Sequence, residues 1–490
     1  MAALLCVLRV SSVLSFSEPV QNVTSGWEQE SLFALWKRVN DIPVYNDSHK
    51  LPFSISFYNW LFYETYGPAI KATLRAFSLS DAWLPTVARC VTFIGAILGA
   101  IISYFAFLEV AGHSTRVGEK TKLIAASFAG FTFFGPLVGF WVFTARTDIW
   151  TLLLEASAIF LFWRYYRSAP VRAVLLCALA CYLAWSLKHI SVFTASTVGL
   201  WLLGQRDWRR FLIFSTALGL AYGATLYGGS DEYFSSLFLT GELGFDPHLA
   251  VRNVSNFVLK SSPGLAALGV IVGGLVASRV FRAALLKDPG FQFALIGFGL
   301  SMVMMVPGSA KDGAAENYFF VPSLFMSLLA VVAITRFESI EELKVTPKAK
   351  SLFFGTLSLG WLANVAALLV VFSGIKGVIS IEPFARYYEQ GTACVKDLPQ
   401  PFYVEEFYLS LPWINPSRPV VYPAYNYPYQ RARGYEFERG GIGGMITAGH
   451  FKALVLTQKV GRFDGADLTG FRLAETCGGF HIYLQKSAEK

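Results

Sequence analysis

Apolar residues gather along the chain in eleven runs, at about 2–16, 84–108, 123–143, 149–163, 173–187, 190–204, 211–229, 263–278, 291–307, 318–335 and 351–373. Crossing the hydrocarbon core of a bilayer takes roughly 20 residues of helix, with about 17 the usual minimum. The longer runs meet that length. The three between 149 and 204 are about 15 residues each, which predicts short, tilted or deeply packed helices. Between the runs lie short basic loops and three long polar segments, 18–81, 230–262 and 374–490.

Basic residues alternate with the runs. With a cytosolic N-terminus, the predicted inside loops hold Arg116, Lys120 and Lys122, then Arg164, Arg167 and Arg172, then Arg206, Arg209 and Arg210. Later inside loops hold Arg279, Arg282 and Lys287, then Arg336, Lys344, Lys348 and Lys350. The outside loops after 142 hold Arg146, Lys188, Arg252, Lys260 and Lys311. Sixteen against five is a positive-inside bias. It predicts an α-helical polytopic membrane protein of about 11 transmembrane helices, with the three long segments and the C-terminus outside. The run 2–16 has a second reading, a cleaved signal sequence, which leaves the rest of the topology unchanged. Glycosylation tripeptides at Asn22, Asn46 and Asn253 all fall in the outside segments.

Composition agrees with the pattern. The chain is 54% hydrophobic and only 15% charged, against about a quarter charged in soluble proteins, so the excess apolar surface faces lipid. The net charge of +8 would suggest nucleic acid only if the basic residues clustered on a soluble face. Spread between apolar runs, they serve topology, and a nucleic-acid partner is excluded. No P-loop, GxGxxG or CxxC spacing occurs, so no soluble nucleotide cofactor and no metal-ligand set is expected; whether a divalent metal is required stays open. Cys394 and Cys477 are alone in the outer C-terminal segment and form a disulfide candidate. There, Pro- and Tyr-rich loops such as PVVYPAYNYPYQ precede the strand-like runs FKALVLTQ and GFHIYLQ. Two domains are therefore expected: a transmembrane domain over 1–373 with outer loops 18–81 and 230–262, and a small α/β domain over 374–490.

Charges at membrane depth are costly and mark candidate sites. Asp47, Arg89, Arg146, Asp148, Lys188 and His189 all map to the outer face, and Glu155 lies within a run. Each also has a structural reading. Asp47 is a turn residue inside a glycosylation tripeptide, and Arg146 with Asp148 forms a helix-start pair. Arg89 and Lys188 snorkel, His189 packs, and Glu155 pairs within the bundle. As a set, an outer carboxylate can take a proton from a hydroxyl and fixed cations can hold a phosphate leaving group. Sugar transfer from a polyprenyl-phosphate donor needs these two elements and no soluble nucleotide. The alternative is a membrane transporter or lipid flippase, which predicts charges through the membrane's depth and on both faces. A third reading is a non-catalytic scaffold.

Four segments resemble one family. PVYNDSHKLPFSISFYNWLFYE looks like the first extracytoplasmic loop of the GT-C glycosyltransferases, where a Tyr-x-Asp element precedes a proline-aromatic stretch. ARTDIWTLLLEASAIFLFW is similar to their arginine-x-aspartate span opening, and SLKHISVFTASTVGLWLL to their short lysine-bearing turn. ENYFFVPSLFMSLLA resembles their late NYF-x-x-P span. The resemblance, closest in kind to polyprenyl-phosphate-dependent mannosyl- and arabinosyltransferases, covers most of residues 30–373. It implies inverting transfer to an acceptor hydroxyl on the lumenal or periplasmic side of the endoplasmic reticulum or a bacterial inner membrane. By it Asp47 is the general base, with Asp41 in reserve because the adjacent acidic pair of some relatives is missing. Arg146, Lys188 and Arg89 contact the donor phosphate, and Asp148, His189, Asn317 and Tyr318 contact substrate. The partners implied are the lipid-phosphate sugar donor, an acceptor (glycan, lipid or protein), and membrane lipids.

Overall fold

The computed structural model describes residues 28–113, 117–239, 244–339, 355–356, 358–363, 366, 382–423, 425 and 427–486. The run 2–16, most of 351–373, and Cys6, Asn22, Arg116, Lys344, Lys348 and Lys350 lie outside the described residues.

Among the described residues, five helices are long and apolar enough to cross a membrane: Asp81–Gly112, Pro170–Leu187, Trp208–Gly228, Pro289–Gly308 and Glu316–Phe337. Pro247–Lys260 and Ser262–Ala277 make a sixth crossing if they are one span, bent by 81°. Three more of the expected runs take other forms. The helix Asp148–Tyr165 has 18 residues, about 27 Å at 1.5 Å per residue, but carries Asp148, Glu155 and Arg164. The run 123–143 divides: the helix Glu119–Phe134 stops at Gly135, because Pro136 disfavours helix in the residue before it, and the rest forms a 3-10 turn at Gly139–Phe143. The run 190–204 is helical only over Phe193–Gly204.

These helices share one large core, which runs from Phe93 to Ile334. Leu220, Val276 and Val303 stand exposed on outward faces. Aliphatic side chains facing outward along spanning helices fit a lipid solvent, and the chain is a multi-pass membrane protein.

A second core sits at one end of the bundle. The helices Glu28–Val39 and Trp60–Ala76 and the start of the Leu84–Gly112 helix bury Leu32, Phe33, Phe62, Leu84 and Ala88 together with Phe402, Val404, Tyr408 and Ile482. The C-terminal part contributes a four-stranded sheet in the order β1-β2-β6-β5, from Phe402–Val404, Ala453–Leu456, Phe480–Gln485 and Phe471–Cys477. β1 pairs with β2 in parallel, and the other neighbours are antiparallel. A two-stranded ribbon, β3 (Arg462–Phe463) with β4 (Ala466–Asp467), lies apart. Cys394, at the end of the helix Glu382–Val395, is bonded to Cys477 at the end of β5.

The loop Pro43–Trp60 is clasped by this sheet domain. The Tyr422 amide donates to the Pro52 carbonyl and the Glu438 amide to the His49 carbonyl, both at 2.8 Å. Phe53 is buried in the sheet domain's own core, and Phe33 stacks on Tyr422 with ring centres 4.1 Å apart. Phe53 and Tyr58 are buried within the protein, so these loop aromatics pack inside it and do not lie on a membrane surface. Two glycosylation tripeptides also have structural uses. The Asn253 amide is buried and donates to the Ser309 and Ala314 carbonyls at 3.0 and 3.2 Å. The Asn46 amide donates to the Asp47 and Ser54 carbonyls.

Candidate functional site

The short connections at one end of the bundle bring together side chains far apart in sequence. Asp148 opens the helix Asp148–Tyr165 and is buried. Its carboxylate accepts from Lys188 Nζ at 2.6 Å and from Asn317 Nδ2 at 2.8 Å, across 40 and 169 residues of chain. Arg146 Nε lies 3.3 Å from the same carboxylate. The Arg146 guanidinium sits over the Trp141 ring at 4.6 Å, which the 3-10 turn positions, and Lys188 faces the Tyr318 ring at 5.5 Å. Two cations share one carboxylate, so the cluster keeps a positive charge in a partly desolvated place.

An open cavity lies against this cluster, lined by Phe57, Tyr58, Arg146, Lys188, His189, Ile190, Lys311, Asp312, Gly313, Asn317 and Tyr318. A smaller recess continues from Lys188, Asn317 and Tyr318 past Leu152, Phe193, Met305, Phe320 and Val321. A polar mouth therefore leads to an apolar throat. Burial, reinforced by the Lys188 and Lys311 cations, pushes the His189 imidazole down to about 4, so the ring is neutral at pH 7 and adds no charge. Burial also lowers the Lys311 ammonium from its ordinary range.

Of the expected site residues, Arg146, Asp148, Lys188, His189, Asn317 and Tyr318 meet here. Arg89 and Asp47 do not line the cavity. Arg89 is buried in a bidentate pair with Glu28, at 3.0 and 2.8 Å. Glu28 in turn accepts from the Ala145 amide at 2.8 Å, so the pair fixes the backbone beside Arg146 and acts on the site at second hand. Asp47 accepts from the His49 amide at 2.9 Å and lies 3.5 Å from Lys50; Asp41 is paired with Lys71 at 2.5 Å. Glu155, expected to pair within the bundle, accepts from the Ser191 hydroxyl and, at 2.9 Å, from the Thr194 amide. It caps the turn that carries Lys188 and His189.

The sequence reading passed over Lys311 and Asp312 as site residues, because nothing in their hydropathy separates them from other loop charges. It also passed over Glu30 and Lys37, because charged residues on a short amphipathic helix give no sign in the sequence that they are buried. Lys37 donates to the Val44 carbonyl at 2.5 Å, Asn46 Oδ1 at 2.7 Å and Ser54 Oγ at 3.2 Å, which uses all three ammonium hydrogens and shapes the Pro43–Trp60 loop. Glu30 accepts from the Tyr425 amide at 2.9 Å, and burial pushes its carboxyl up to about 8. Burial pushes Lys37 down to about 7.

A pH dependence follows. Glu30 takes up its proton in the folded state near 8 and in the unfolded chain near 4.5, so its stabilisation is full below 4.5 and is lost as pH rises towards 8. Lys37 works in the opposite sense, but between its folded value of about 7 and 10.5. Between pH 5 and 7 the Glu30 effect therefore stands alone of the two. The thermal midpoint of the detergent-solubilised protein, read by tryptophan fluorescence, should fall over that interval relative to Glu30→Gln. Parallel curves for the two proteins would refute the assignment.

No protein-family model matches the chain, and no curated protein matches its sequence. By structure it is similar to ArnT from Cupriavidus metallidurans bound to undecaprenyl phosphate, with TM-score 0.56 at 10% identity, covering 99% of this chain and 98% of that one. It is also similar to the Archaeoglobus fulgidus oligosaccharyltransferase in its apo form, with TM-score 0.55 at 12% identity over 92% of this chain and 69% of that one. The same enzyme tethered to an acceptor peptide containing the NVT sequon matches with TM-score 0.51 at 12% identity, over 93% and 68% of the two chains. A bundle of apolar helices with a charged cavity at one end and a C-terminal sheet thus gives this chain, across nearly its whole length, a fold similar to those of ArnT and the archaeal oligosaccharyltransferase.

Proposed function

We propose that the protein transfers a sugar from a polyprenyl-phosphate donor to an acceptor hydroxyl, on the lumenal or periplasmic face of its membrane. The observation that carries this reading is the cavity itself. Arg146 and Lys188 converge on it with only Asp148 between them, Lys311 adds a third cation, and an apolar recess opens beneath. A lipid phosphate has matching chemistry, an anionic head on a hydrocarbon tail. ArnT, of like fold, was solved with undecaprenyl phosphate.

In this reading the acceptor oxygen attacks the anomeric carbon while the bond to phosphate breaks, and the configuration inverts in one displacement. Arg146 and Lys188 stabilise the charge that grows on the departing phosphate, in a site where water is partly excluded. Asp148 orients both cations, and Asn317 and Tyr318 border the donor. The sidedness is supported by the helix ends: Arg164, Arg167 and Arg172 lie at the opposite ends of the helices that carry Asp148 and Lys188, as a cytosolic loop would require. The full topology belongs to the same proposal, with eleven spans, of which the first lies wholly and the last mostly outside the described residues.

The test is transfer of radiolabelled sugar from short-chain polyprenyl-phosphate donors by the purified protein. Incorporation into an acceptor lipid or glycan is expected. Flux of the labelled donor across liposomes with no transfer would favour the transporter or flippase instead.

A further inference from the structure

The cavity contains a carboxylate to which no role has yet been given. Among the expected acids, Asp148 is occupied by Lys188, Asn317 and Arg146. Asp47 is turned to His49 and Lys50 and is not part of the lining. Asp312 is part of the lining, and no ion pair among the described residues engages it.

The backbone holds Asp312 in place. The Ala314 amide donates to the Lys311 carbonyl at 2.9 Å, closing a four-residue turn, and Gly313 takes φ +78° in its third position, where a side chain would be strained. Asp312 is the second residue of that turn. Its amide donates to the Gly244 carbonyl at 2.9 Å, and the Asp246 amide donates to the Ala310 carbonyl at 2.8 Å, so two outer loops are sewn together around it. The carboxylate uses the space that Gly244 leaves open, where a Cβ would sit 2.5 Å from Asp312 Oδ2. Tyr425 of the C-terminal part lies near enough to sense it. Burial is the largest cause of that phenol's rise to about 12, its neighbour Tyr429 adds to it, and the Asp312 charge contributes last. Asp312 therefore lines the cavity together with Lys311 and Lys188, within electrostatic reach of the C-terminal part.

We infer that Asp312 is the catalytic base, which takes the proton from the acceptor hydroxyl as that oxygen bonds to the anomeric carbon. This rests on the transfer reaction proposed above. The balance is complete: the carbon–oxygen bond to the acceptor forms, the bond to the lipid phosphate breaks, the proton moves to the Asp312 carboxylate, and the electron pair leaves with the phosphate. The step needs no oxidant or reductant.

The test compares wild type, Asp312→Asn, Asp312→Glu and Asp47→Asn with a radiolabelled short-chain polyprenyl-phosphate sugar, measuring kcat and donor KM separately. Donor binding is followed independently by tryptophan quenching with polyprenyl phosphate. Asp312→Asn is expected to lose about 10²–10⁴-fold in kcat, the usual worth of a positioned base, with donor KM and polyprenyl-phosphate binding changed less than about threefold. Asp312→Glu should recover part of the rate. Retention of kcat in Asp312→Asn, or loss of donor binding together with turnover, would overturn the assignment. A collapse in Asp47→Asn with Asp312→Asn active would return the role to Asp47. Silence of the wild type with every sugar, while polyprenyl phosphate still binds, would withdraw the transfer reaction itself and the assignment with it.

Discussion

Lys188→Ala is expected to lower kcat for sugar transfer by about 10²–10³-fold, the loss seen when one preorganised donor to a developing oxyanion is removed. The lysine is placed for this by three contacts from different parts of the chain. Asp148 accepts from it at 2.6 Å, the Tyr318 ring lies 5.5 Å from its ammonium, and Glu155 holds the turn that follows it. Removing the ammonium leaves Asp148 with Arg146 and Asn317, so the carboxylate stays paired and the fold should persist. The effect belongs in kcat because charge on the phosphate grows as the bond breaks. Arg146→Ala should behave alike, with an added loss in donor affinity because its guanidinium also fills the space over Trp141. If Lys188 served only to steady the start of the helix, Lys188→Ala would lower the thermal midpoint and leave kcat intact. Measuring both in one preparation decides between these outcomes.

Glu28→Ala is expected to destabilise the protein by about 3–5 kcal/mol, the cost of leaving a buried charge without its partner. Arg89 and Glu28 have side-chain exposures of only 2% and 0%, so water cannot replace the lost carboxylate. The Ala145 amide loses its acceptor at the same time, which adds an unsatisfied donor next to Arg146. Glu28→Ala combined with Arg89→Leu should recover much of the loss, since it removes the stranded charge. Thermal midpoints of the single and double variants, read by tryptophan fluorescence in detergent, test this. A double variant no better than the single would mean that the Ala145 contact, and not the ion pair, dominates.

Much of this was legible along the chain. Apolar runs bounded by basic loops announce a lipid solvent, because crossing a bilayer demands a minimum length of apolar helix and loop charge sets its direction. The same reasoning puts Arg146, Asp148 and Lys188 at one depth, since each stands just beyond an apolar run, whereas Asn317 and Tyr318 entered only through the resemblance of ENYFFVPSLFMSLLA. Where local chemistry intervenes, the pattern misreads the element. Gly135–Pro136 cuts the run 123–143, and the second piece becomes the turn that places Trp141 under Arg146. Asn46 and Asn253 look like glycan acceptors because a tripeptide says nothing about burial.

Depth is what hydropathy can report, and depth is one coordinate of three. The sequence alone places candidate charges at the outer end of the helices and identifies the solvent around them. Which of those charges touch is decided by how the helices pack side by side, since lateral position has no periodic signal in the chain. Packing joins Lys188 and Asn317 on Asp148 and takes Arg89 away to Glu28, while a local turn sets Asp47 against His49 and Lys50. It also brings the Lys311–Gly313 turn into the cavity wall through backbone bonds between two loops more than 60 residues apart, a pairing that only the folded chain can make.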